Sequence, residues 1–263
     1  MYSGEGWRIK RMKITVLGSG SAFSDLTRFN SAYLVETGNL CFMIDCGSDA
    51  LRALQKAGSD LFSIQDIFIT HMHADHCGGI PAVLTAMHVL ERKEPIRVHV
   101  PSGQLEFVKS WLANFFIYNE RWSFRIDLVP LSPGEKKPYD DIELEFSPTN
   151  HLDRYMETAL KAGINAMSFS VIVREGKKSF YFSSDIDSIE EIGSHADSTI
   201  SFIEAAHPEL EEIARISRKG HNNLFFTHIP QELETGGTWA RELYSKFGTQ
   251  KINIIHDGQI FTI

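Results

Sequence analysis

The sequence predicts an α/β protein in which two mixed β-sheets pack face to face beneath covering helices. Three observations lead to this class. Short apolar runs recur along the 263 residues, and helix-spaced segments fill some of the gaps between them. A Pro-, Gly- and Lys-rich turn region, Pro130 to Tyr139, falls near the middle and joins two halves that share this alternation. Hydrophobic residues make up 43% of the chain, enough for a sizeable core in one domain of this length.

Lys13–Leu17 reads as the first strand, and Gly18-Ser19-Gly20-Ser21 turns after it. That turn is half of a dinucleotide fingerprint. The third glycine is missing and no helix pattern follows, so it is read as a loop. Ser31–Glu36 and Cys41–Ile44 form a hairpin around Thr37-Gly38-Asn39. Ala50, Leu51, Ala53, Leu54 and Ala57 keep helical spacing, closed by Gly58. Asp66–Thr70 is a buried strand, and Ile80–Met87 is a helix with Pro81 in its first turn. Ile96–Val100 is a strand and Ser102–Phe116 a helix. The aromatic group Trp111, Phe115, Phe116, Tyr118 and Trp122 reads as core or dimer packing, or as a wall of a substrate entrance. In the second half, strands are expected at Ile142–Phe146, Met167–Val173, Ser179–Ser183, Thr199–Ile203, Leu224–Thr227 and Ile252–Ile255. Helices are expected at Glu209–Arg218 and Trp239–Phe247.

Composition excludes several classes. A net charge of −8 argues against a general polyanion-binding surface. No run of 18 apolar residues exists to span a membrane. Met1–Met12 carries Glu5, Arg8, Lys10 and Arg11 and lacks the apolar stretch of a secretory signal. The expected organisation is an N-terminal extension over 1–12 and a single domain over 13–263, in the cytoplasm. Cys41, Cys46 and Cys77 form no C-x-x-C and read as reduced thiols, although Cys77 abuts the motif described next.

Thr70-His71-Met72-His73-Ala74-Asp75-His76-Cys77-Gly78-Gly79 is the most informative stretch. His71, His73, Asp75 and His76 crowd the end of an apolar strand. Such crowding is expensive unless something offsets the desolvation, and a divalent cation does so. A two-metal centre needs further ligands, and these should also sit at strand ends. His151, Asp185 and His256 each follow an apolar run and fit that requirement.

With these residues in view, the chain resembles the metallo-β-lactamase superfamily, binuclear hydrolases with a four-layer αβ/βα sandwich. It is most similar to the ribonuclease Z-like branch. The likeness runs from about Lys13 to Ile263 and rests on Leu17-Gly18-Ser19-Gly20-Ser21, Ile44-Asp45-Cys46-Gly47 and Thr70 to Gly79. It also rests on Phe182-Ser183-Ser184-Asp185, Ile203-Glu204-Ala205, Phe226-Thr227-His228-Ile229 and Ile255-His256-Asp257. The resemblance implies that His71, His73 and His151 hold one metal, and that Asp75, His76 and His256 hold the second. Asp185 and a hydroxide would bridge the two. Glu204 and His228 would be the pair that assists proton transfer, with His228 as general acid, and Asp45 would orient a ligating histidine. Two divalent ions are implied, zinc or alternatively manganese. The remaining histidines, His88, His99, His195, His207 and His221, read as ordinary, with His207 set apart by lying three residues after Glu204.

Ribonuclease Z proper carries a transfer RNA-gripping arm between the ligands that match His151 and Asp185. Only 34 positions separate them here, so the arm is absent. Phage and bacterial phosphodiesterases that degrade cyclic mononucleotides share this armless pattern. The expected function is therefore hydrolysis of a small phosphodiester, a cyclic nucleotide, by a homodimeric metal-dependent enzyme. A transfer RNA 3′-processing nuclease and a non-phosphate hydrolase are the alternatives, and RNA is the less favoured substrate. A scaffold that has lost catalysis fits poorly with a complete ligand set.

Overall fold

The computed structural model describes residues 9–23, 27–139, 141–218, 223–230, 241–242, 245–246, 248 and 252–263. Alternation along the first strands sets the layering. In β1 (Ile9–Gly18), Met12, Ile14 and Val16 share one face. β2 (Ala32–Gly38) adds Tyr33 and Val35 to that face, and β3 (Leu40–Ile44) adds Phe42 and Ile44. With β4 (Asp66–Phe68), β5 (Ile96–Pro101), β6 (Ile126–Leu131) and β13 (Ile260–Thr262), these form a seven-stranded sheet in the order β13-β1-β2-β3-β4-β5-β6.

The second sheet has six strands in the order β12-β11-β10-β9-β8-β7. These are β7 (Lys136–Tyr139), β8 (Ile142–Pro148), β9 (Phe169–Glu175), β10 (Lys178–Phe182), β11 (Ile200–Glu204) and β12 (Leu224–Thr227). Leu144, Phe146, Phe169, Val171, Phe180 and Phe202 meet the first sheet across an aromatic-rich core. On the far side of the first sheet pack α1 (Ala50–Ala57), α3 (Ile80–Val89) and α4 (Leu105–Asn114). A 3-10 segment, Ile189–Asp197, and α6 (Leu210–Arg218) cover the second sheet. The result is the expected four-layer αβ/βα sandwich. The short helices α2 (Ala74–Cys77) and α5 (Met156–Lys161) lie in connections.

Several elements differ from expectation. Pro130 to Tyr139 is not all turn: β6 ends at Leu131 and β7 begins at Lys136. Both are edge strands, where a proline's missing N–H costs no ladder bond. Ile252–Ile255 makes one isolated bridge, Ile254 to Phe226, and the chain then crosses to pair β13 with β1. β1 begins at Ile9, ahead of the strand expected from Lys13. The helix expected at Trp239–Phe247 lies mostly outside the described residues, as does His221. Trp111 and Trp122 pack against the outer core, while Phe115, Phe116 and Tyr118 are exposed. Among the described residues, no helix is long and apolar enough to cross a membrane.

At the start of β4, the buried Asp66 accepts bonds from Arg97 Nε and Nη2 and from His99 Nε2, each at 2.6 Å. Burial pushes the carboxyl up, but the bonds from His99 and Arg97 hold it below its usual range. Its stabilising contribution is then complete above the ordinary carboxylate pKa of about 4. It is lost as pH falls through the lower folded value. Asp66→Asn should destabilise by on the order of 1–3 kcal/mol at neutral pH. Urea unfolding across pH should show the gap to wild type closing only in acid, whereas a pH-independent gap would contradict this account.

Candidate metal centre

One rim of the sandwich collects the polar residues. β3, β4 and β5 run parallel, as do β10, β11 and β12, and β8 shares their direction through the antiparallel β9. Their C-terminal ends release Asp45 after β3, His71 to His76 after β4, His151 after β8, Asp185 after β10 and His228 after β12, and Glu204 ends β11. Three of these exits hold a non-glycine residue at positive φ: Asp45 at 60°, Ser184 at 51° and His228 at 52°. Left-handed backbone of this kind persists only where surrounding structure enforces it. The glycine pair after His76 has a steric origin, since a Cβ on Gly79 would lie 2.2 Å from the Gly47 carbonyl oxygen.

His71, His73, His151 and Asp185 form the first group that could hold a metal ion. His73 Nδ1 faces His71 Nε2 at 3.1 Å and His151 Nε2 at 3.2 Å. Asp185 Oδ2 lies 3.7 Å from His71 Nε2 and 3.5 Å from His151 Nε2. Burial, then the neighbouring His76, pulls His71 well below its usual pKa, and burial takes His151 down to about 3. Neutral imidazoles that converge this closely leave lone pairs facing one another, and a shared cation satisfies them together.

Asp75, His76 and His228 form a second group, and Asp185, Glu204, His207 and His228 a third that shares residues with both. His76 Nε2 is 3.5 Å from Asp75 Oδ2 and 3.2 Å from Asp185 Oδ1, and His228 Nε2 is 3.7 Å from Asp75 Oδ2. His76 Nε2 and Asp185 Oδ1 are both buried without a well-formed hydrogen bond. On its other side, His76 Nδ1 donates to Asp45 Oδ2 at 2.6 Å. Asp45 is fixed in turn by Thr70 N, Thr70 Oγ1 and Ser31 Oγ at 3.0, 2.8 and 3.0 Å. It thus holds the imidazole with Nε2 toward Asp185. Both donor sets fit divalent cations. Cys77 does not join them: its thiol contacts the Met72 carbonyl, and burial pushes it up to about 12.

Two residues lie elsewhere than the expected ligand set would put them. His256 is outside these groups. Its ring is exposed, with Nδ1 2.9 Å from Arg28 Nη2. His228, expected as the general acid, takes the place beside Asp75 and His76. Glu204 pairs instead with His207, whose Nδ1 lies 3.0 and 2.9 Å from the two carboxylate oxygens. A turn after β11 makes this possible, because Ala206 N and His207 N both donate to Glu204 Oε2 at 3.2 Å. The His207 ring sits 4.5 Å from His151 and 5.9 Å from His228. The only sequence signal for it was its three-residue spacing from Glu204.

The profile of the Anti-Pycsar protein Apyc1 family matches residues 12–250. The chain belongs to that family. Ribonuclease Z of Methanosarcina acetivorans is 29% identical over 124 residues, which cover 47% of this chain and 40% of that protein. The chain thus spans less than half the length of that curated relative. Among solved structures, the metallo-β-lactamase fold protein YhfI from Bacillus subtilis superposes with a TM-score of 0.74 at 17% identity, covering 96% of this chain and 99% of that one. Human tRNase Z, short form, superposes with a TM-score of 0.69 at 19% identity, covering 95% and 98%. These likenesses establish the metallo-β-lactamase fold. The resemblance to the superfamily and to its ribonuclease Z-like branch is thereby borne out.

His228→Ala should lose one of two zinc equivalents, and His256→Ala should keep both. Metal analysis of the purified variants checks this, and the reverse pattern would restore His256 to the site.

Proposed function

We propose that the protein is a metal-dependent phosphoric diester hydrolase whose substrate is a small phosphodiester, a cyclic nucleotide. His71, His73 and His151 would hold one ion, Asp75, His76 and His228 the other, and Asp185 would serve both. Zinc suits these ligands and manganese is the alternative. Divalent ions in these groups supply charge neutralisation for a phosphodiester and a nucleophile from water at neutral pH.

The chain's own residues do the rest. Burial pulls His207 down, but its bond to Glu204 raises its pKa overall, which favours the protonated ring. Glu204 occupies Nδ1, which leaves Nε2 to donate to the leaving oxygen. Asp45 keeps His76 oriented throughout. Residues 13–263 are proposed to act as one hydrolase unit, as a cytoplasmic homodimer.

The observation that carries the small-substrate reading is what fills the interval from His151 to Asp185. It holds a short 3-10 turn, α5 and the β9–β10 hairpin, with no projecting arm. The family match and the net charge of −8 support the same choice. A second reading, transfer RNA 3′ processing, is favoured by the ribonuclease Z relatives. The deciding comparison is kcat/KM for a panel of cyclic mononucleotides against a precursor transfer RNA, at equal metal and salt. The account expects the cyclic nucleotides to win, and a wide margin for RNA would reverse the choice.

His207→Ala should keep both metals yet slow turnover by roughly 10²–10⁴-fold, the usual range for a lost general acid. The defect should shrink on bis(p-nitrophenyl) phosphate, whose leaving group needs little protonation. An equal loss on both substrates would assign His207 a structural role.

A further inference from the structure

Glu191 lies outside both groups, in the 3-10 segment that covers the second sheet. Its half-buried carboxylate accepts three backbone N–H bonds. Oε1 takes Asp187 N at 2.7 Å and Ser188 N at 3.0 Å. Oε2 takes Asn150 N at 2.7 Å. The bond to Ser188 belongs to an ordinary capping box at the start of that segment. Helix capping does not account for the bond to Asn150, which reaches the exit of a different strand. Asn150 directly precedes His151, and Asp187 lies two residues after Asp185.

We infer that Glu191 is a positioning residue: it ties the β8 exit to the β10 exit and so sets the distance from His151 to Asp185. A second bridge runs between the same two exits, because Thr149 Oγ1 donates to the Asp185 carbonyl at 2.9 Å. The two ligand groups are not tied equally. Among the described residues, Glu191 makes no hydrogen bond to the exits that carry Asp75, His76 and His228. The Asp185 exit is also held independently, since Ser184 Oγ donates to Thr70 Oγ1 and Ile186 N to Glu204 Oε1, so loss of the tie acts chiefly on His151 and its group. An acceptor with two oxygens is required, because donors arrive from both sides. A glutamine keeps the length but offers an acceptor to only one exit.

The inference rests on the metal reading proposed above, and zinc titration against a chromophoric chelator tests it. In Glu191→Ala, one of the two equivalents should weaken by roughly 10–100-fold, the range for lost support of a ligand, while the other stays at its wild-type affinity. Glu191→Gln should fall between, and Thr149→Val should weaken the same equivalent. Unchanged affinity for both equivalents would overturn the inference. So would a parallel loss of both that follows the drop in Tm. The metal-free protein gives an independent readout. Imidazole ¹⁵N resonances of His151 should move in Glu191→Ala while those of His76 stay in place, and an unmoved His151 would also overturn it. Should the wild type bind no zinc, the metal reading fails by itself, and the His151 resonances still decide whether Glu191 sets that exit.

Discussion

One buried carboxylate organises the rim. Asp185 lies between 3.2 and 3.8 Å from nitrogens of His71, His76, His151, His207 and His228. Burial alone would raise its pKa, yet His228 and His76 hold it well below the ordinary range. A bare carboxylate in such a place is costly, so its surroundings must supply positive charge. Under the proposed function, cations held by these groups would complete that compensation. Five histidines reach Asp185 from four strand exits, which makes the site a property of the whole sandwich and not of a single loop.

The strained exits follow from this demand. Asp45, Ser184 and His228 all stand at positive φ where a strand gives way to the rim. An extended continuation would carry each chain past the site. Supporting bonds hold the turns in place. Ser184 Oγ donates to Thr70 Oγ1 at 2.7 Å, and Thr70 Oγ1 in turn donates to Asp45 at 2.8 Å. That chain links the second sheet to the first across the site. Tyr33 and Thr227 make a further link between the sheets, their side-chain oxygens 2.5 Å apart. The aromatic core between the sheets keeps these contacts in register.

Much of this arrangement was legible in the sequence. His71, His73, Asp75 and His76 announce themselves because their spacing is local and follows an apolar strand. His151 and Asp185 were found because each ends a buried run. The same rule could not separate His228 from His256, since both follow apolar runs of similar length. Sheet order separates them: β12 sits beside β11 in the second sheet, whereas 252–255 makes only one bridge before crossing to β1. Asp257 there accepts Ser19 N and Phe29 N, so the second half of the motif staples the loop after β1. His207 was missed because its partner is set by a turn of three residues, which has no periodicity to read. The edge strands β6 and β7 were hidden by Pro130 and Pro138, because proline signals a turn unless the edge position is known.

The central claim is that Asp185 stands between two cations, one among His71, His73 and His151 and one among Asp75, His76 and His228. Anomalous diffraction at the zinc edge from crystals of the zinc-loaded protein tests it most directly. The account predicts two peaks about 3.5–4 Å apart, flanking the Asp185 carboxylate. A single peak, or a second peak ligated by His256 in place of His228, would contradict it.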